Sequence, residues 1–172
     1  MPSYNPLSTN LFVKFPRLKL VYDAGLLRKQ TAGDCISVCG QIARAASGKE
    51  GMRFRKVGNG VPTVAEFLMA AQQGPLRLTG RGIKQSGSTY EKHHAVVITE
   101  VFKSSEAEKC ADMAVVVDPD DTVPGNGFAF TVKIDELINE VKPEYLANDS
   151  PIPAYLPVLE TVEESTSWCT IQ

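Results

Sequence analysis

Residues 94–102 read His94-Ala-Val-Val-Ile-Thr-Glu-Val-Phe102. A run this rich in β-branched and aromatic side chains, with neither Gly nor Pro, makes a strong strand. Two further runs follow it: Met113-Ala-Val-Val-Val-Asp118 and Phe128-Ala-Phe-Thr-Val132. The connections between them are too short for a helical crossover, so successive strands are expected to lie antiparallel. Upstream the periodicity changes. In residues 35–47, Cys-Ile-Ser-Val-Cys-Gly-Gln-Ile-Ala-Arg-Ala-Ala-Ser, the apolar positions Ile36, Cys39, Ala43 and Ala46 recur at helical spacing. Gly33-Asp34 and Gly48 are good start and stop signals for that helix. Helix first and antiparallel meander afterwards give an α+β fold.

The remaining elements are assigned by local chemistry. Thr63-Val-Ala-Glu66 is a capping box opening a helix over 64–73, which stops at Gly74-Pro75. Leu76-Arg-Leu-Thr79 predicts a short strand, and Ile134, Leu137, Ile138 and Val141 mark an amphipathic helix. Leu18-Lys-Leu-Val-Tyr22 is expected to be a short strand. The basic, Gly-rich residues 49–62 are expected to be a loop, and residues 80–92 a mobile one. Tyr155-Leu-Pro-Val-Leu159 fits an edge strand, because Pro is tolerated at edges. Residues 160–172 are expected to form a flexible tail.

With 172 residues, 43% apolar and 22% charged, the chain is expected to form a single globular domain, 1–172. No apolar run approaches the roughly 18–20 residues that span a bilayer, and the start lacks the layout of a cleaved signal peptide. No stable membrane insertion is therefore expected, and a cytoplasmic location or a signal-peptide-independent export route fits. The net charge of -2 argues against a nucleic-acid binder. That charge is uneven. Residues 1–58 hold ten Lys/Arg and three Asp/Glu, whereas residues 106–172 hold three and fourteen. Either the two halves attract each other in the fold, or one acidic face awaits basic partners. Four cysteines, Cys35, Cys39, Cys110 and Cys169, are too sparse for a small disulfide framework.

Cys35 sits where loop becomes helix. There free N–H groups and the helix dipole favour an anion, which lowers a thiol's pKa and makes a better nucleophile. The alternative fate is that of a small buried hydrophobe. His94 opens the strong strand. His93 and His94 point to opposite faces, so only one can face Cys35. Asp118 closes the second strand, and antiparallel register would bring it to His94, where a carboxylate orients the imidazole and stabilises its charged form. The plainer alternative is a turn-forming Asp before Pro119. Gln30, five residues ahead of Cys35, carries an amide that could donate to an oxyanion beside the Cys35 N–H.

Taken together, these residues resemble the papain-like cysteine peptidases. The similarity is closest to compact bacterial members, the double-glycine leader peptidases and the papain-like effector proteases of plant pathogens. The stretches that carry it are Asp34-Cys35, Gln73-Gly-Pro-Leu76, His94-Ala-Val-Val-Ile-Thr-Glu-Val101, Val116-Val-Asp-Pro119 and Phe130-Thr-Val-Lys-Ile-Asp-Glu-Leu137, within a core of about 25–142. The resemblance implies a helical part carrying the nucleophile packed on a twisted antiparallel sheet. It implies that Cys35 is nucleophile, His94 general base and then acid, Asp118 the orienter and Gln30 the oxyanion donor. It also implies a protein or peptide substrate, no metal or organic cofactor, and a specialised use such as an effector or toxin. Loop 80–92 would then rim the substrate groove.

Other classes share parts of this pattern. NlpC/P60-like peptidoglycan amidases use the same Cys-helix and His-strand logic, and deamidases and transglutaminase-like enzymes pass through the same acyl-thioester. A zinc site could draw on Cys35, Cys39, His93, His94 and Cys110. A non-catalytic binding module on a peptidase fold is a further possibility. Cys169-Thr-Ile-Gln172 fits the form of a prenylation signal, although the stretch ahead of it is acidic.

Overall fold

The structure, a computed structural model, describes residues 5–27, 34–49, 51–81, 93–105, 111–120, 128–141, 144–145 and 153–164. In chain order the elements are β1 (Asn5–Pro6), a 3-10 helix (Thr9–Lys14), α1 (Pro16–Asp23), α2 (Cys35–Ser47), β2 (Met52–Val57), α3 (Val64–Gln73), β3 (Leu76–Arg81), β4 (His93–Lys103), β5 (Asp112–Val117), β6 (Ala129–Lys133), α4 (Ile134–Glu140), β7 (Glu144–Tyr145), β8 (Pro153–Tyr155) and β9 (Val158–Glu164). Seven strands form one antiparallel sheet in the order β1-β6-β5-β4-β3-β9-β2. β7 and β8 pair separately. The fold is mixed α+β, as the order of patterns in the sequence predicts.

Both faces of the sheet are covered. Leu76, Leu78, Val96, Ile98, Ala114, Val116, Val132 and Leu159 face Phe67, Ala70 and Ala71 of α3 and Ile134, Leu137 and Ile138 of α4. Ala95, Val97, Val115, Val117, Ala129 and Val162 belong to a second cluster with Leu18 and Val21 of α1 and Cys39, Ile42, Ala43 and Ala46 of α2. Burial on two sides explains why the central strands read as unbroken apolar runs rather than as alternation. Each fully buried Leu or Phe contributes roughly 1.5–3 kcal/mol relative to exposure. The core also reaches beyond residues 25–142, to Phe12, Leu18 and Val21 on one side and Leu159 and Val162 on the other.

Several expectations are corrected. Residues 18–22 lie in helix α1, not in a strand. Leu18 and Val21 are buried at helical spacing, while Leu20 and Tyr22 face outward. Pro16 starts the helix, and Glu100 Oε1 accepts the N–H groups of Arg17 and Leu18 at its open end. The 49–62 loop contains strand β2, whose partner β9 lies about a hundred residues away and is therefore invisible to local patterning. The edge strand expected over 155–159 is divided: Tyr155 ends β8, whereas Val158 and Leu159 open β9, an interior strand between β3 and β2, and Pro157 falls just ahead of β9, where its missing N–H interrupts no ladder bond. Residues 160–164, assigned to the flexible tail, are part of that strand, and 165–172 lie outside the described residues.

The β2–β9 ladder also accounts for the uneven charge. Arg53 and Arg55 pair with Glu163, Lys49 with Glu164, and Arg77 of β3 with Glu160. Part of the basic N-terminal stretch, Lys49, Arg53 and Arg55, thus meets Glu163 and Glu164 of the acidic C-terminal one. No helix among the described residues is long and apolar enough to cross a membrane.

Candidate active site

Helix α2 begins at Cys35, the expected residue. Asp34 occupies the N-cap, but its side chain makes no capping hydrogen bond. The half-buried Cys35 thiol stands beside His94 and the backbone N–H groups of Ile36 and Ala95, all of which favour its anionic form. Ala95 also fastens the next turn, because its carbonyl accepts the Cys39 thiol at 3.2 Å. One residue of β4 thus docks two turns of α2. Ile36, expected on the buried stripe, is 51% exposed; the stripe instead runs through Cys39, Ile42, Ala43 and Ala46.

His94 and Asp118 meet through strand register. Val117 pairs with Val97 and Val116 with Ile98. Asp118 is therefore level with Val96, two residues from His94 on the same face, which makes the two side chains diagonal neighbours. His94 Nε2 lies 2.8 Å from Asp118 Oδ1, with the two side chains 2% and 1% exposed. Asp118 Oδ1 also accepts the N–H of Asp120, and the Asp118 N–H bonds to Phe128, which fixes the carboxylate at the end of β5. With Nε2 engaged, Nδ1 is the ring nitrogen left for Cys35.

The electrostatics are reciprocal. Burial works against a charged His94, but hydrogen bonds to Asp118 and Cys35 and their negative charges outweigh it, raising its pKa to about 9. The hydrogen bond from His94 outweighs burial at Cys35 and lowers its pKa, helped by the imidazolium charge and by the two backbone N–H groups. Cys39 differs by environment: burial pushes its thiol far up, so it is an inert core thiol. A low-pKa thiol on an imidazolium backed by a buried carboxylate is able to perform nucleophilic acyl transfer.

Of the four expected site residues, the structure brings Cys35, His94 and Asp118 together. Gln30 lies outside the described residues, as do Cys110, Cys169 and residues 82–92 of the expected rim loop. Among the described residues no group of three or more His, Cys, Asp or Glu side chains is arranged to hold a metal ion. No residue pattern points to Ala95, because its contribution at Cys35 is made by the main chain. Arg77, whose Nη1 donates to the Ile36 carbonyl in the first turn of α2, likewise leaves no local signal in the sequence. No family model, curated protein or solved structure matches this chain.

Proposed function

We propose that this chain is a cysteine peptidase of the papain-like type, hydrolysing a peptide or amide bond of a protein or peptide substrate through an acyl-thioester. The observation that carries this is the position of His94, hydrogen-bonded to the buried Asp118 and set beside Cys35 at a helix start, where each favours the other's charged form. The resting site is a thiolate–imidazolium pair. Cys35 Sγ attacks the carbonyl carbon and its electrons move onto the oxygen. As the tetrahedral species collapses, His94 gives its Cys35-side proton to the departing amine, leaving an acyl-thioester and a neutral imidazole. That imidazole takes a proton from water, the hydroxide attacks the thioester, and Cys35 leaves as thiolate beside a recharged His94. Asp118 holds the ring in place and compensates its charge throughout. By resemblance Gln30 serves the oxyanion, and use as a bacterial effector or toxin rests on the same resemblance.

The test is exposure of a complex protein mixture to the chain, with new N-termini read by mass spectrometry. New termini are expected with the wild type and absent with Cys35→Ala and His94→Ala. Release of ammonia without chain cleavage, or a Cys35 alkylated by iodoacetamide no faster than in the unfolded chain, would overturn the peptidase assignment.

A further inference from the structure

Arg77 is in β3, directly opposite Glu160 of β9 in the ladder. Its side chain is only 13% exposed. Nε donates to Glu160 Oε2 at 2.7 Å, and the guanidinium carbon lies 3.7 Å from the centre of the Phe54 ring. Nη1 donates to the carbonyl of Ile36 at 3.3 Å. That carbonyl belongs to the first turn of α2, one residue after Cys35. A carboxylate and an aromatic face fix the planar guanidinium, leaving one arm for the helix.

Gly40 lies beside this contact. It is buried in the middle of α2, one turn beyond Ile36, and a Cβ there would stand 3.4 Å from Arg77 Nη1 and 3.6 Å from Phe54. Gly in a helix interior costs about 0.5–1 kcal/mol relative to Ala. Its φ is not positive, so backbone conformation does not call for it. Those separations, with Arg44 Nη1 at 3.5 Å, are ordinary van der Waals contact, so the guanidinium passes close over this turn of α2 without itself requiring glycine.

We propose that Arg77 is a positioning residue: wedged between Phe54 and Gly40 and anchored by Glu160, it holds the first turn of α2 through the Ile36 carbonyl and so sets Cys35 against His94. This builds on the peptidase assignment, since the Cys35–His94 pair is what is positioned. Arg77 touches neither sulfur nor imidazole, and its action is through the helix. Ala95 fastens α2 from β4 and Arg77 fastens it from β3, so that two neighbouring strands fix the nucleophile's seat.

The test is the rate of iodoacetamide alkylation at Cys35, followed by peptide mapping from pH 5 to 9.5, with thermal unfolding recorded in parallel. Lysine keeps the charge but not the fork. Arg77→Lys is expected to raise the inflection by about one unit and slow alkylation at pH 6.5 about tenfold. Arg77→Met combined with Glu160→Gln leaves no unpaired carboxylate and is expected to do the same, which keeps the question open to decision should the lysine variant not fold. A profile within twofold of wild type in a folded variant overturns the proposal, including when unfolding temperature alone falls, because Arg77 would then serve only the fold. A wild-type profile that already lacks a low, His94-dependent inflection marks failure of the peptidase assignment instead.

Discussion

Replacing Asp118 with Asn isolates the charge that supports His94. Asn is nearly isosteric, and its Oδ1 can still accept from His94 Nε2 and from Asp120 N–H. Asp118 Oδ2 is buried and has no hydrogen-bond partner among the described residues, so the new amide group exchanges one unpaired polar atom for another. Packing is therefore retained, whereas the ion pair loses its counter-charge, and the part of the stability near neutral pH that comes from the raised His94 pKa is lost with it. His94 stands at about 9 against an ordinary value of 6.5, despite burial that opposes its charge. That gap is on the order of 3 kcal/mol, and the hydrogen bond to Asp118 is the largest of the raising influences. Losing even one unit of it shifts the balance between ion pair and neutral pair about tenfold. Asp118→Asn is thus expected to slow alkylation of Cys35 at pH 7.5 at least about tenfold, measured by stopped flow with a thiol-reactive disulfide. It should also move the reactive inflection upward. A rate within twofold of wild type with an unmoved inflection would refute the reasoning, since the carboxylate would then be a turn residue only.

The pH dependence of stability carries its own signature. The raised His94 pKa gives stability that is complete below about 6.5 and lost as pH rises through about 9. The lowered Cys35 pKa acts oppositely, giving stability that is complete above 9 and lost as pH falls through its folded value. The two slopes cancel where both groups are charged, so denaturant unfolding should show a steeper loss between pH 6.5 and 9 in Cys35→Ala than in the wild type. Thr63→Ala removes the acceptor for Glu66 N–H at 3.1 Å and one half of the capping box, and should cost about 1 kcal/mol in the same assay. Gly80 lies opposite His94 in the β3–β4 ladder, where a Cβ would fall 2.7 Å from Val141 Cγ1. Gly80→Ala should therefore destabilise the fold by roughly 1–3 kcal/mol.

What the sequence disclosed follows from the range of each interaction. The bounds of α2 and α3 were readable because their signals, Asp34 with Gly48 and Thr63 with Gly74, are local and chemical. β4, β5 and β6 were readable because burial on both faces leaves long apolar runs. β2 was not, because Met52-Arg-Phe-Arg-Lys-Val57 becomes a strand through β9, whose Glu163 pairs with both of its arginines. α1 was misjudged because Glu100, far along the chain, supplies the carboxylate that caps it. The site divides in the same way. Cys35 was marked by its place at a helix start and His94 by its place at a strand start. Asp118 needed only the register of adjacent strands. Arg77 and Ala95 depend on how a helix lies across the sheet, a tertiary property that leaves no motif.

Imidazole nitrogen NMR of His94 tests the central claim most directly, because only two histidines are present and His94→Ala assigns the signals. Both ring nitrogens of His94 should be protonated at pH 7 and lose that state near 9, with the titration shifted downward in Cys35→Ala. A His94 ring that is neutral at pH 7, or one whose titration is indifferent to Cys35, would contradict a resting thiolate–imidazolium pair.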